Sequence, residues 1–511
     1  MFKKILLLTL FLLQLTAHSQ NKVATIVDDI SGETIPYANI KLGVTSNNIS
    51  NADGQFNIPS SLETESPKIE ISYIGYETQQ LTFSQLEKLN FIIKLIPGIY
   101  ELNNVDVSDK KQDVASIMAK VKANLDENYK APSSPFSNTI FLRKENAFQA
   151  KQFNLEIEKS TDFSKKKLKE LNAEIKRFSS KMTQTPPREF EDFLGVYSSL
   201  LSKKEDIMVN SSKLAVLKAT RIKDKSRSVS IDELDESTSS LFLKHLDTTK
   251  FYRIKSGWIG SRDTISFSKE FNKNRKKDKK EAKPEPENVA QAKSSIVGVQ
   301  TTTNPLYGKN TDFMRQIDWY DYTLDGAVFS EDYKLVYVIK FKPRKGKAKF
   351  EGTLYVSEND YAVVKTTYKL VEGKTLGGIN LKWVLGVKTF ENVSGGTLIF
   401  KENTTTKKYY LQYANLESGQ YLYLNRPLKF IELSDEDRDI LAVDIKVEGN
   451  TIKKTQYLNL DQKEISASDF ENLKESDFKF INLRKYDPKI WKEFTTLEPA
   501  EEMKQFSISA D

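Results

Sequence analysis

The sequence predicts a mainly β protein with a small N-terminal β-sandwich, an α+β middle region and a large curved, half-barrel-like antiparallel sheet. Residues 23–76 alternate strand-like runs with turn residues such as Asp53-Gly54, where glycine supplies the positive φ that a tight hairpin turn needs. Between residues 320 and 430, eight further strand-like runs are separated by Gly, Asn or Asp. In the middle region, apolar residues recur at helical as well as strand spacing.

Residues 1–19 have the features of a secretory signal peptide. Lys3 and Lys4 precede an apolar run at 5–15, and Ala17-His18-Ser19 provides a small-x-small cleavage site before Gln20. We therefore expect an exported protein of the periplasm, the outer membrane or the cell exterior. No later stretch is apolar enough to span a bilayer, so we expect no transmembrane segment after signal cleavage.

The inventory of reactive side chains is small. Cysteine is absent from the 511 residues, and histidine occurs only at positions 18 and 245. One histidine after signal cleavage is too few for a metallocarboxypeptidase site, which needs two His and a Glu around zinc. A catalytic triad would have to use His245, whose apolar surroundings fit a structural position better. We expect no catalytic residue, no metal and no cofactor, since phosphate-loop and dinucleotide motifs are also missing.

The N-terminal sandwich is predicted over residues 20–97. Its turn and strand residues include Val27-Asp28, Ser31-Gly32-Glu33, Ile35-Pro36-Tyr37-Ala38-Asn39-Ile40, Asp53-Gly54-Gln55-Phe56 and Ile71-Ser72-Tyr73-Ile74-Gly75-Tyr76-Glu77. In this order they resemble the carboxypeptidase-like regulatory domain of Bacteroidetes envelope proteins, a transthyretin-like (prealbumin-like) sandwich of seven strands. The resemblance implies an accessory envelope domain rather than an enzyme. One departure is Ala24, where that family usually has glycine in the first strand.

Residues 98–269 are predicted to be a mixed α/β linker region. Val114, Ile117 and Val121 recur at helical spacing after Asp113, which is a plausible N-cap. This helix and the strand-like run after it also resemble the linker that follows the regulatory domain in related proteins. The other predicted elements are an exit strand at 99–107, strands at 153–157, 214–222 and 251–267, and helices at 163–178 and 189–201.

Residues 270–298 are predicted to be a disordered basic insert. The run 273–280 is rich in Lys and Arg, and the polar stretch after it offers almost nothing apolar to bury. Because the run has no interleaved aromatic residues, we interpret it as a solvated loop and expect no nucleic-acid partner. We therefore predict no specific binding partner from the net charge of +7.

Residues 299–433 are predicted to form the antiparallel sheet, and 434–511 a C-terminal extension. The sheet has proposed hairpin tips at 359–360 and 394–396. Its runs at 325–326, 337–343, 350–356 and 361–364 resemble a repeated feature of Bacteroidetes regulatory-domain proteins, where the unit looks like the open sheet of periplasmic lipoprotein carriers. The extension is expected to hold a late strand at 442–447, a short helix and a loose tail. The eight predicted strands are 321–324, 334–341, 349–356, 362–370, 381–390, 397–402, 408–416 and 421–430.

One cluster of acids and aromatics suggests a ligand site. Asp318, Asp321 and Asp325 surround aromatic residues, as is common in carbohydrate sites and equally expected at the entry to a strand. The predicted ligand-binding residues are Trp319, Tyr320, Asp321 and Trp383.

Three functions remain open on the sequence. The first is a non-catalytic envelope protein that binds an unknown envelope protein, glycan or lipid. The second is a periplasmic carrier that holds lipid or another apolar ligand in the curved sheet. The third is a carbohydrate-acting enzyme built on Asp318 and Asp321. The carrier hypothesis predicts that one cavity is lined by Val338, Leu354, Val364, Leu381, Trp383 and Leu385.

Overall fold

The structure, a computed structural model, is mostly β, with a sandwich at the N-terminus and one large mixed sheet that does not close. The predicted fold class is confirmed. The predicted signal peptide, the exit strand at 99–107, His245 and Trp383 lie outside the described residues. The described residues are 22–43, 46–59, 68–98, 113–161, 163–204, 207–224, 251–256, 259–266, 288–330, 334–382, 386–433 and 438–508.

Among the residues that the structure describes, the N-terminal sandwich has seven strands, as predicted. Strand order is β4-β1-β7 in one sheet and β3-β2-β5-β6 in the other, and β1 and β7 run parallel. Ala24 is fully buried, so the first strand forms without the expected glycine. A short helix, α1, begins with a capping box between Thr82 and Gln85. The bounds are β1 Lys22–Asp28, β2 Asn39–Leu42, β3 Ser46–Ile49, β4 Gln55–Ile58, β5 Ile69–Ser72, β6 Gln79–Leu81, α1 Phe83–Lys88 and β7 Ile92–Leu95.

The large sheet follows the strand order β13-β14-β15-β16-β18-β19-β20-β8-β9-β10-β21, with β11, β12 and β17 at its side. Its pairs are antiparallel except β10 with β21, which makes the sheet mixed. The bounds are β8 Phe136–Ser160, β9 Arg188–Lys204, β10 Ile207–Lys223, β11 Phe251–Ser256, β12 Ile259–Ser266, β13 Tyr320–Phe329, β14 Leu335–Pro343, β15 Phe350–Ser357, β16 Val363–Leu370, β17 Gly378–Leu381, β18 Val387–Glu402, β19 Tyr409–Glu432, β20 Arg438–Glu464 and β21 Ile481–Leu483.

The helix predicted at 189–201 is wrong, because these residues form β9. Phe193 and Leu194 point to opposite faces of that strand, and both are buried. A strand covered on both faces loses the alternation of apolar and polar residues that normally identifies it. The apolar residues of this strand instead recur at helical spacing, which is why the sequence indicates a helix: Phe190, Phe193, Leu194, Tyr197 and Leu201.

The hairpin tip predicted at 394–396 is also wrong, because Gly395 and Gly396 lie inside β18. A Cβ on Gly396 would lie 2.5 Å from the backbone oxygen of Asn415, and one on Gly395 would lie 2.8 Å from that of Tyr368. These glycines serve close approach between strands rather than a turn. The predicted tip at 359–360 does form a turn.

Among the described residues, four helices lie between the sandwich and β13, and two short 3₁₀ segments follow the last of them. Asp113 caps α2, as predicted, by accepting a hydrogen bond from the backbone N–H of Ala115. The amphipathic helix predicted at 163–178 is confirmed as α4. The prediction of disorder is wrong for 288–298, where apolar residues at helical spacing bury one side of α5, whereas 270–287 lie outside the described residues. The bounds are α2 Val114–Ala123, α3 Leu125–Tyr129, α4 Lys165–Gln184, α5 Asn288–Thr303 and the 3₁₀ segment Lys309–Met314.

The large sheet has two covered faces. The helices α2, α3, α4 and α5 pack on one, which we call the helix face. The N-terminal sandwich and the C-terminal segment 486–508 pack on the other, which we call the sandwich face. There the Trp491 ring lies 5.6 Å from that of Phe141.

The C-terminal extension is not a loose tail. The late strand predicted at 442–447 is part of the 27-residue β20, and Trp491 and Leu497 are buried. Asn51 of the sandwich donates a hydrogen bond to the backbone oxygen of Pro499 at 3.2 Å. The segment therefore ties the sandwich to the sheet. Its short helices are α6 Ala467–Asn472 and α7 Glu501–Gln505, with a 3₁₀ turn at Pro488–Trp491.

Candidate functional site

A band of polar side chains crosses the helix face between two apolar clusters. Alternate residues of β8 show it: Ile140 and Leu142 belong to the cluster under α2 and α5, and Phe148 to the cluster under α4. Between them, on the same face, lie Lys144 and Asn146.

On the neighbouring strands, polar residues also interrupt the apolar pattern, at the positions that lie beside Lys144 and Asn146. On β20 the polar residues Thr455, Lys453 and Thr451 separate Tyr457 from Val447. On β19, Ser418 and Gln420 lie between the apolar residues of the two clusters. The strand register pairs Lys144 with Thr455, Ser418 with Lys453, Gln420 with Thr451, and Ser394 of β18 with Ser418. The polar band is therefore continuous over four strands.

The band is the floor of a groove with a cavity volume of about 730 Å³. Ser294, Gly298 and Thr302 recur every four residues on α5 and line it from above. Gly377 and Gly378 border it on one side, and Lys309 and Asn310 also line it.

Gly298 marks the open space of the groove. A Cβ placed on it would meet no atom within 4 Å. The backbone of α5 does not require glycine there, since Gly298 is not among the residues with positive φ. A side chain at position 298 would enter the groove instead of colliding with the protein.

Two hydroxyl groups of the floor are available to a ligand. Ser394 and Thr455 are 5% and 7% exposed, and both line the groove. Each hydroxyl can donate and accept a hydrogen bond, so both are able to pair with a ligand in the groove.

Charged groups continue the band toward β9 and β10. Burial lowers the pKa of Lys144, and the nearby Glu191 carboxylate opposes this shift. The Lys144 Nζ to Glu191 Oε2 distance is 3.8 Å, and the guanidinium of Arg221 lies 2.6 Å from Glu191. Glu191 and Arg221 lie beside the groove, whose own lining contains lysines, glutamates and hydroxyl-bearing residues.

The ligand site predicted around Trp319 and Tyr320 does not form one surface. Tyr320 is 2% exposed, and its hydroxyl donates a hydrogen bond to Asp312 Oδ1 at 2.7 Å. The hydrophobic environment raises the pKa of this tyrosine. Trp319 is partly buried beneath Lys347, whose Nζ lies 5.6 Å from the ring centroid.

The acids of that cluster are exposed and separate from Tyr320. Asp321 points to the other face of β13, where its nearest cation is the Arg344 guanidinium at 3.9 Å. Asp325 pairs with Lys340 at 2.8 Å, and Asp318 lies in the exposed 3₁₀ turn Ile317–Trp319. A hydrolytic role for Asp318 and Asp321 stays a prediction.

Among the described residues named for the carrier cavity, Val338 and Leu354 do not line one cavity together. Val338 pairs with Tyr355, whereas Leu354 pairs with Ile339, so Val338 and Leu354 lie on opposite faces of the sheet. Leu354 is buried in the core with α5, and Leu381 is 40% exposed on the edge strand β17. Val384 and Leu385, like Trp383, lie outside the described residues.

Sequence reasoning missed the groove because its floor comes from residues far apart in the chain. A usable signal was present: Ile140, Leu142, Lys144, Asn146 and Phe148 alternate on one face and change from apolar to polar and back. The same change occurs on β20, but it indicates a polar gap only when residues 438–464 are known to form one long strand.

Two absences concern only the described residues. No helix there has both the length and the apolar character needed to cross a membrane. Also within those ranges, no three His, Asp or Glu side chains are grouped as metal ligands would be.

Comparisons with known proteins identify the sandwich and little else. Residues 25–107 match the family model of the CarboxypepD_reg-like domain. No curated protein matches the chain. Among solved structures, a DUF1329 family protein from Desulfovibrio piger is similar at 10% identity, with 70% of this chain and 97% of that chain covered. The TM-score is 0.18, and a likeness at that level carries no argument.

Proposed function

We propose that this chain is a non-catalytic binding protein of the cell envelope and that its polar groove holds a hydroxyl-rich ligand, a segment of a glycan. The signal-like residues 1–19 support export to the periplasm or outer membrane. The domain match at 25–107 supports an accessory role, since the regulatory domain that the sandwich resembles accompanies catalysis rather than performing it.

One observation carries the proposal: the polar band lies on a sheet face that is apolar on both sides of it. Desolvating polar groups costs free energy unless they find partners. A chain that needed only a stable core would continue the apolar rows of β8, β19 and β20 through positions 144, 418 and 453. A ligand that forms hydrogen bonds with these side chains explains why all three positions are polar.

The chemistry of the lining favours sugars over lipids. Sugar hydroxyls donate and accept hydrogen bonds, and the floor offers both functions through Ser, Thr and Gln side chains. The groove volume of about 730 Å³ lies within the range typical of small-molecule sites. An apolar chain would leave these groups without partners.

The test is a screen of the full-length protein against envelope and capsular oligosaccharides by native mass spectrometry. Gly298→Leu adds a side chain that fills the groove, while leucine keeps the helix, so we expect the bound oligosaccharide to be lost. Gly298→Ala is the matched control and should retain binding.

Retention of the same oligosaccharide by Gly298→Leu, with unchanged affinity, would place the ligand elsewhere and overturn the assignment of the groove. Turnover of any oligosaccharide by the wild-type protein would contradict the non-catalytic part of the proposal.

A further inference from the structure

A second cavity lies between the sandwich and the large sheet, on the sandwich face. Its volume is about 900 Å³. Strands β2 and β5 of the sandwich line one side of it, and β14, β16 and β18 of the sheet line the other. We call it the interdomain cleft.

Lys365 of β16 is the unusual residue of this cleft. It is 5% exposed, and its Nζ donates a hydrogen bond to the hydroxyl of Tyr73 at 2.8 Å. The same Nζ lies 4.1 Å from the ring centroid of Tyr73 and 5.4 Å from that of Tyr355. Within the described residues it forms no salt bridge.

The carboxylates in the cleft are already engaged. Glu402 lies 3.6 Å from the Lys334 Nζ and 3.3 Å from that of Lys407. Glu70 accepts a hydrogen bond from Gln80 at 2.8 Å. The full lining contains five lysines and two glutamates, so its charge is positive.

An ammonium group has three N–H donors, and the Tyr73 hydroxyl accepts only one from Lys365. A buried charge without an opposite charge is costly, and aromatic rings offset only part of that cost. Burial accordingly lowers the pKa of Lys365 to about 8. An anion in the cleft would supply both the missing acceptor and the missing charge.

We infer that the interdomain cleft is a second binding site and that its ligand carries an anionic group, a carboxylate or a phosphate, that pairs with Lys365. This site is independent of the polar groove, which lies on the opposite face of the sheet. Because Tyr73 belongs to the sandwich, such a ligand also contacts both parts of the protein.

The experiment measures how fast Lys365 is acetylated by acetic anhydride in the full-length protein, with peptide mass spectrometry as the readout. Inorganic phosphate and acetate are the two probes, each against sodium chloride of equal ionic strength. An anion paired with Lys365 keeps its amine protonated and covered, so at ten times its dissociation constant we expect labelling about tenfold slower. Exposed Lys345 is the internal control and should be unaffected.

Protection by phosphate alone or by acetate alone identifies the anion that the cleft prefers. A second readout uses Lys365→Met, which keeps the length of the side chain and removes its charge. The effective anion should raise the melting temperature of the wild type and of Lys345→Met, but not that of Lys365→Met. If neither anion protects Lys365, or both protect Lys345 equally, the inference is wrong.

Discussion

Arg143 and Asp192 form a buried ion pair on neighbouring strands β8 and β9. The guanidinium donates through Nε and Nη2 to the two carboxylate oxygens, at 2.8 and 2.7 Å. Nη1 has no hydrogen-bond partner within the described residues. Asp192 is the only salt-bridge partner of Arg143 within the described residues, and Glu498 adds a weaker electrostatic attraction, so removing the Asp192 charge leaves the buried guanidinium largely uncompensated.

Asp192→Asn should lower the free energy of unfolding by about 3–5 kcal/mol, because breaking one partner of a buried pair leaves the other uncompensated. Asp325→Asn, which breaks the exposed pair with Lys340, should cost less than about 1 kcal/mol. Urea denaturation of both variants measures the difference. Equal effects would show that water reaches Arg143.

Lys365 should make stability depend on pH in a known direction. Its pKa is about 8 in the folded protein, against an ordinary value of 10.5. Between these values the unfolded chain binds a proton that the folded protein does not, so folding becomes more favourable as the pH rises.

The free energy of unfolding of the wild type, relative to Lys365→Met, should therefore increase by about 3 kcal/mol from pH 8 to pH 10.5. Below pH 8 the difference should be constant. The measurement is urea denaturation of both proteins across this range, without phosphate. A flat difference would mean that Lys365 is hydrated.

At the scale of elements, the sequence was informative wherever local chemistry decides the structure. Asp53-Gly54 predicts the sandwich turn because glycine adopts positive φ easily, and Gly54 has φ 72° in the structure. Asp113 predicts the start of α2, which it caps. Tertiary packing decided the rest. β9 lacks alternating apolar and polar residues because both of its faces are covered. Gly395-Gly396 is typical of a turn, but these glycines are needed where neighbouring strands approach closely.

Gly396→Ala tests this last point. A Cβ there would lie 2.5 Å from the Asn415 backbone oxygen, so β18 and β19 would have to separate. We expect the variant to lose about 1–3 kcal/mol of stability, as overpacked sites do. Gly346→Ala should leave stability nearly unchanged, because no atom lies within 4 Å of a Cβ at that position. Thermal unfolding of both variants measures the difference. Equal tolerance at both positions would contradict the long β18 strand.

At the scale of the molecule, the large sheet separates two cavities, one on each of its faces. The polar groove lies under α5, and the interdomain cleft lies beneath the sandwich. Tyr37 of the sandwich accepts a hydrogen bond from Asn415 at 2.8 Å, and the C-terminal segment buries Trp491 against the sheet. Such contacts join residues hundreds of positions apart, which explains why neither cavity could be predicted from local sequence patterns.

The most direct test of the groove is hydrogen–deuterium exchange of the full-length protein with and without the oligosaccharide that it retains. Exchange should slow in peptides covering 294–302, 416–420 and 451–455, and remain unchanged in the peptide covering 318–325. Protection of 318–325 with no change in the other three peptides would contradict the groove as the binding site. It would favour a site at Asp318, Trp319, Tyr320 and Asp321 instead.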